Sequence, residues 1–90
     1  MKSLSQTRQF TRDVKRMVKR GKDLVKLKSI VSILVEGLPL EPKHRDHPLT
    51  GNWRKRRDCH VEPDWILIYS TDDEILRLER TGSHNDLFQK

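Results

Sequence analysis

Asp58-Cys59-His60 places a carboxylate and an imidazole two positions apart, and an extended chain turns residues so spaced to one face. Glu62-Pro63-Asp64 follows, then the apolar run Trp65-Ile66-Leu67-Ile68-Tyr69, which reads as a turn and a strand able to hold such a pair rigid. An imidazole beside a carboxylate is the beginning of an acid-base site, because the ring titrates near neutral pH and a neighbouring charge tunes it. The four histidines, His44, His47, His60 and His84, fall in a loop, in a strand and in the segment after the last strand. Each alone reads most simply as a surface residue. Three of them together with Asp58, Asp64, Arg80 and Trp65 form a constellation that can do acid-base chemistry.

A metal centre is the first rival, since His44, His47, Cys59 and His60 make four nominal ligands. Adjacent strand residues face opposite ways, so Cys59 and His60 do not readily reach one ion, and no metal or other cofactor is expected. Cys59 is the only cysteine, which excludes an internal disulfide and leaves it as a small buried residue.

The elements that must position these groups are legible from hydrophobic period. After a stretch that could form a short first strand, Phe10, Val14, Met17 and Val18 mark one helical face, ended by Gly21. Leu24, Leu27, Val31 and Leu34 mark a second helix from about Asp23, closed by Gly37 and Pro39. Two amphipathic helices so tightly joined are expected to form an antiparallel hairpin. Residues 38–51 read as a long loop, and 52–61, 65–70 and 74–81 as an antiparallel meander. The fold class is therefore α+β: a helical hairpin covering one face of a small, mainly antiparallel sheet, with room for a short C-terminal helix, in a single domain over residues 1–90.

Nineteen Lys and Arg against thirteen Asp and Glu give a net charge of +6, concentrated in residues 15–22, 26–28 and 54–57. Such a balance predisposes a small domain to a polyanion, most often nucleic acid. A solvated basic face is the plainer alternative, and charge alone does not separate the two. A helix-turn-helix reading of the basic hairpin is the second rival, weakened because the sequence shows no polar recognition face matched to base edges and the strands would be left without a purpose. No run is long enough to span a membrane and MKSLSQTRQF lacks the apolar core of a secretory signal, so a cytoplasmic protein with no membrane partner is expected.

The run DHPLTGNWRKRRDCHVEPDWILIY, followed by LRLERTGSHNDLF, closely resembles the YafQ branch of the RelE-like toxins of bacterial type II toxin-antitoxin systems. The motifs cover the C-terminal half, and the basic hairpin before them fits the same fold. The resemblance implies a ribosome-dependent endoribonuclease that cleaves messenger RNA in the ribosomal A site and so inhibits translation. It implies a cognate antitoxin, with a ribbon-helix-helix DNA-binding part, and contact with operator DNA only through that antitoxin. The family's catalytic histidines fall on His47, His60 and His84, its acidic residues on Asp58 and Asp64, its arginine on Arg80, and its aromatics on Trp65 and Phe88. Arg54, Lys55, Arg56 and Arg57 are more basic than the branch leads one to expect, which would strengthen phosphate contact or change the fit to ribosomal RNA. His44 has no counterpart and is treated as a surface residue.

Metal-free RNA cleavage uses the 2′-hydroxyl as nucleophile, one group taking its proton and another protonating the departing 5′-oxygen, and histidines suit both tasks. His47 and His84 are expected to exchange the protons with His60 in support. Asp58 would orient His60, Asp64 would orient His47 or touch RNA, Arg80 would stabilise the charged transition state, and Trp65 and Phe88 would stack on bases, a structural role being the rival for each and a close one for Trp65, which opens the most apolar strand. Trp53 is assigned to the core. If Leu76 and Leu78 face the core, alternation sends Arg80 there too, unless a bulge or the strand end near Thr81-Gly82 releases it. The alternatives are a module that binds RNA or DNA without cutting, and a toxin-like chain that has lost activity and serves as co-repressor.

Overall fold

The computed structural model describes residues 1–51 and 55–88. In chain order they form β1 (Ser3–Gln6), α1 (Arg8–Lys19), α2 (Leu24–Val35), a 3₁₀ turn (Pro42–His44), β2 (His47–Pro48), β3 (Arg57–Glu62), β4 (Trp65–Thr71), β5 (Ile75–Gly82) and α3 (His84–Phe88). The sheet order is β1-β5-β4-β3-β2, with β1 parallel to β5 and every other pair antiparallel. Both the short first strand and the short C-terminal helix are present. Part of the expected loop is ordered, and β3 begins five residues later than the sequence reading placed it; Trp53 and Arg54 lie outside the described residues.

Each long helix starts where a side chain can take an orphan amide. The Phe10 N–H donates to the Thr7 hydroxyl at 2.9 Å, and the Val25 N–H donates to the Asp23 carboxylate at 2.9 Å. Gly21, at φ +85°, makes the left-handed turn between the helices. Phe10, Met17, Leu27, Ile30 and Leu34 then close over Cys59, Val61, Trp65, Leu67, Tyr69, Leu76 and Leu78 on one face of the sheet. The opposite face carries Ile66 and Ile68, covered among the described residues by Leu87 with the partly buried Leu49 and Phe88. That lightly covered face is where the polar side chains gather.

Val18, expected on the buried stripe of α1, is 49% exposed, and Asp13 takes an interior place at 0%. The reason lies at the edge of β5. β1 pairs with β5 only as far as Leu78, so beyond that point α1 supplies the partners. Thr7 bonds Leu78 and Glu79 through its N–H and hydroxyl, and the Thr81 N–H donates to Asp13 Oδ2 at 3.2 Å. Asp13 thus completes an open strand edge with a side chain.

A bulge decides where Arg80 points. Tyr69 pairs with Leu78 but Ile68 pairs with Arg80, leaving Glu79 as the extra residue. The alternation inverts there, so Leu76 and Leu78 face the helices while Arg80 shares the face of Ile68. The release comes two residues before the Thr81-Gly82 position that the sequence suggested.

Candidate active site

Strand register sets the site. His47, Asp58, Ile68 and Arg80 stand opposite one another across β2, β3, β4 and β5, and His60, Ile66 and Gly82 form the next row. At about 4.8 Å per strand, Asp58 and Arg80 are roughly 10 Å apart across the sheet. The β3-β4 turn brings Asp64, and α3 brings His84 and Phe88, to the end of this face. The His60 and His84 ring centroids are 5.6 Å apart, and those of His84 and Phe88 are 6.2 Å apart.

Every histidine has its Nδ1 tied to an oxygen. The His47 Nδ1–H donates to the Arg45 carbonyl at 2.7 Å, that of His60 to the Pro63 carbonyl at 3.1 Å, that of His84 to Asp64 Oδ1 at 2.7 Å, and that of His44 to the His60 carbonyl at 2.7 Å. Carbonyl and carboxylate oxygens only accept, so each neutral ring carries its proton on Nδ1 and presents the Nε2 lone pair. Three Nε2 atoms on one face, backed by fixed tautomers, can take or return protons at a bound substrate.

The carboxylates pair differently from the sequence expectation. Asp64 holds His84, not His47, accepting both its ring N–H and its backbone N–H, the latter at 2.9 Å. Those donations, the backbone one first, keep the Asp64 carboxyl below the usual carboxylate range. Asp58 lies beside His47, not engaged with His60: His47 Nε2 is 3.0 Å from Asp58 Oδ1 without hydrogen-bond alignment, a charge pair only when the His47 ring is protonated, and that buried oxygen has no hydrogen-bond partner among the described residues. Burial pushes the Asp58 carboxyl up, while His47, His60 and His84 pull it back.

A measurable consequence follows from Asp58. A carboxyl raised on folding favours the protonated native state, so its ionisation weakens the fold at neutral pH and this penalty disappears as pH falls through its folded titration. Asp58→Asn is expected to raise the thermal midpoint by a few degrees at pH 7, with the gain shrinking as pH is lowered to the carboxylate range, as calorimetry at several pH values would record.

The remaining sites of the expected constellation divide. Arg80 reaches the open face with its guanidinium fixed by buried Asp13, Nε–Oδ2 at 2.7 Å and Nη2–Oδ1 at 3.2 Å. Phe88 is half-buried beside His84. Trp65 does not fit a stacking role: it is fully buried in the helix-side core, its indole N–H donating to Thr81 Oγ1 at 2.9 Å. Arg57 also departs from expectation, since it pairs opposite Tyr69 on the helix side and its guanidinium lies on Asp46 at 3.2 Å. Arg56 reaches Glu79 at 3.5 Å, and Lys55 is exposed. Expected Arg54 lies outside the described residues, and His44, set aside from sequence, is bound to the β3 backbone.

Four acids escaped the sequence reading: Asp13, Asp46, Glu79 and Asp86. Only Asp13 left a signal, as a carboxylate between Phe10 and Met17 on an apolar helical stripe. Asp86 anchors α3. It accepts from Arg20 at 2.6 and 3.0 Å and from the Ser83 N–H at 2.9 Å, and the Arg20 contact, foremost, holds its carboxyl well below the usual range. A Cβ at Gly82 would lie 2.8 Å from Asp86 Oδ2 and 2.9 Å from its Cβ. Gly82→Ala is therefore expected to displace α3 and carry His84 and Phe88 away from His60, while the two-helix core stays folded by circular dichroism.

The chain matches the family model described as the bacterial toxin of type II toxin-antitoxin systems, YafQ, over residues 2–89. It is 53% identical over 81 residues to the mRNA interferase toxin YafQ of Escherichia coli strain K12, covering 89% of this chain and 88% of that protein. The crystal structure of YafQ from E. coli strain BL21(DE3) superposes with a TM-score of 0.92 at 47% identity, covering 98% of this chain and 99% of the other. The toxin of the E. coli DinJ-YafQ complex does so at 0.91 and 48%, with 98% and 99% covered.

Proposed function

Because the chain belongs to the YafQ family of bacterial type II toxins, we propose that it is an mRNA interferase, an endoribonuclease that cuts messenger RNA in the ribosomal A site and is held inactive by a cognate antitoxin. The observation that carries this reading is the His84-Asp64 pair beside His60: a carboxylate-held imidazole whose ring centroid stands 5.6 Å from that of a second imidazole on the open sheet face. The likeness to the E. coli toxin crystallised with DinJ supports the antitoxin, and a ribbon-helix-helix segment would give it operator DNA.

His47 and His84, each beside a carboxylate, exchange the protons, and His60 supports the site. One Nε2 removes the proton of the 2′-hydroxyl as its oxygen attacks the adjacent phosphorus; the other protonates the 5′-oxygen as the P–O bond breaks. The products are a 2′,3′-cyclic phosphate and a 5′-hydroxyl. Arg80, oriented by Asp13, meets the charge that gathers on the phosphorane oxygens. Phe88 offers a face to an unpaired base.

Replacing the 2′-hydroxyl with hydrogen at the nucleotide 5′ of the cut is the direct chemical test. On programmed ribosomes the single deoxy substitution should abolish cleavage there, and the all-ribose product should carry a cyclic phosphate. Cleavage that survives the substitution would require another nucleophile and would end this mechanism. Basic surface contributions should make binding fall steeply with salt.

A further inference from the structure

A cleft of about 990 Å³ opens between α2, the 3₁₀ turn and the end of β3, with His60 and His84 at one end. β2 pairs with β3 only at residues 57 and 58, so the remaining β3 edge is left to α2 and the turn. Resting on the reading of the chain as an RNA-cleaving toxin, we propose that this cleft is a subsite for the nucleobase flanking the scissile phosphate, with His44 as the side chain that selects it.

The chemistry of the walls fits a flat, heteroaromatic ligand on a phosphate chain. Ile30 and Val61 are nearly fully buried and give an apolar floor, joined by Ile33 and Pro63. His44 stands on one wall, its ring fixed by donation to the His60 carbonyl at 2.7 Å, so its Nε2 lone pair can accept from a base edge and its face can stack. Lys43 and Arg45, on the same side of the cleft, are exposed and supply positive charge for backbone phosphates. Of the two acids on the cleft, Glu62 is neutralised by Lys22 at 2.7 Å and Lys26 at 2.8 Å, and Glu41 is exposed. The cleft volume lies within the range of about 300–1,000 Å³ that organic ligands occupy. Continuity with His60 and His84 places a base held here next to the reacting phosphate.

The test is single-turnover cleavage on ribosomes carrying messages that differ only in the bases flanking the cut. The wild type, His44→Ala and Ser29→Trp are compared; Ser29 is an exposed α2 residue lining the cleft and is not one of its histidines, and Trp there would occupy part of it. His44→Ala is expected to compress the spread of rates between favoured and disfavoured bases by about tenfold, the scale of one lost base stack. Ser29→Trp should slow the favoured message by a similar factor. Wild-type rates in both variants on every message would overturn the subsite. So would an equal loss on all messages in His44→Ala with Ser29→Trp unchanged, which would mean that His44 only braces the β3 backbone. A wild-type protein that leaves every message intact would instead remove the ribonuclease reading, and the subsite with it.

Discussion

His84→Ala is expected to lower single-turnover cleavage by about a hundredfold to ten-thousandfold, the usual contribution of one positioned proton-transfer group. The fold should hardly notice. The His84 side chain is 55% exposed, and its bond to the 69% exposed Asp64 is a surface pair of the kind that contributes about 0–1 kcal/mol. A large kinetic loss with a small stability change distinguishes a chemical role from a structural one. Asp64→Asn should fall between, because the amide still accepts a hydrogen bond from the ring but cannot stabilise the imidazolium. His47→Ala should match His84→Ala, with its Nε2 beside Asp58 lost from the other flank. Unchanged rates in both, with cleavage abolished by His60→Ala, would reassign the proton transfers.

Asp13→Ala is expected to cost about 3–5 kcal/mol of folding free energy, read from urea unfolding. One carboxylate at 0% exposure serves Arg80 through two bonds, Arg16 at 2.8 Å, Gln9 at 3.1 Å and the Thr81 amide at 3.2 Å. Its removal strands a part-buried guanidinium and an edge amide together. Against a total stability of about 5–15 kcal/mol typical of a domain, the variant should be near the limit of folding at 37 °C. Asp13→Asn, which keeps the volume and an acceptor oxygen, should fold and lose mainly the fixed orientation of Arg80. A loss under about 1 kcal/mol for the alanine variant would show that α1 and the β5 edge are held by apolar contact alone.

The two helices and the meander were legible because their periods are strong and their ends carry Gly and capping residues. Asp58 and His60 share a face as spacing required. Parity also held the answer for Trp65: with Leu67 and Tyr69 it belongs to the helix-side set, opposite Ile66 and Ile68, so a stacking role was excluded by the same rule. Arg57 in the basic run obeys that rule too, since neighbours on a strand cannot all serve one surface. Arg80 was harder. The bulge at Glu79 leaves its trace only in the buried pattern, where Leu76 and Leu78 give way to Thr81. The Asp58-His47 and Asp64-His84 pairings depend on strand register and on how α3 folds back, and no local spacing encodes either. Residue chemistry alone points only to a candidate acid-base constellation on a basic domain; the toxin family rests on the ordered motifs.

The decisive measurement is made on ribosomes programmed with a defined messenger RNA, incubated with the purified protein and mapped by primer extension beside His84→Ala. New 5′ ends confined to the A-site codon, present with the wild type and absent with the variant, are the predicted result. Intact messenger despite salt-sensitive binding, or ends that persist in His84→Ala, would contradict it.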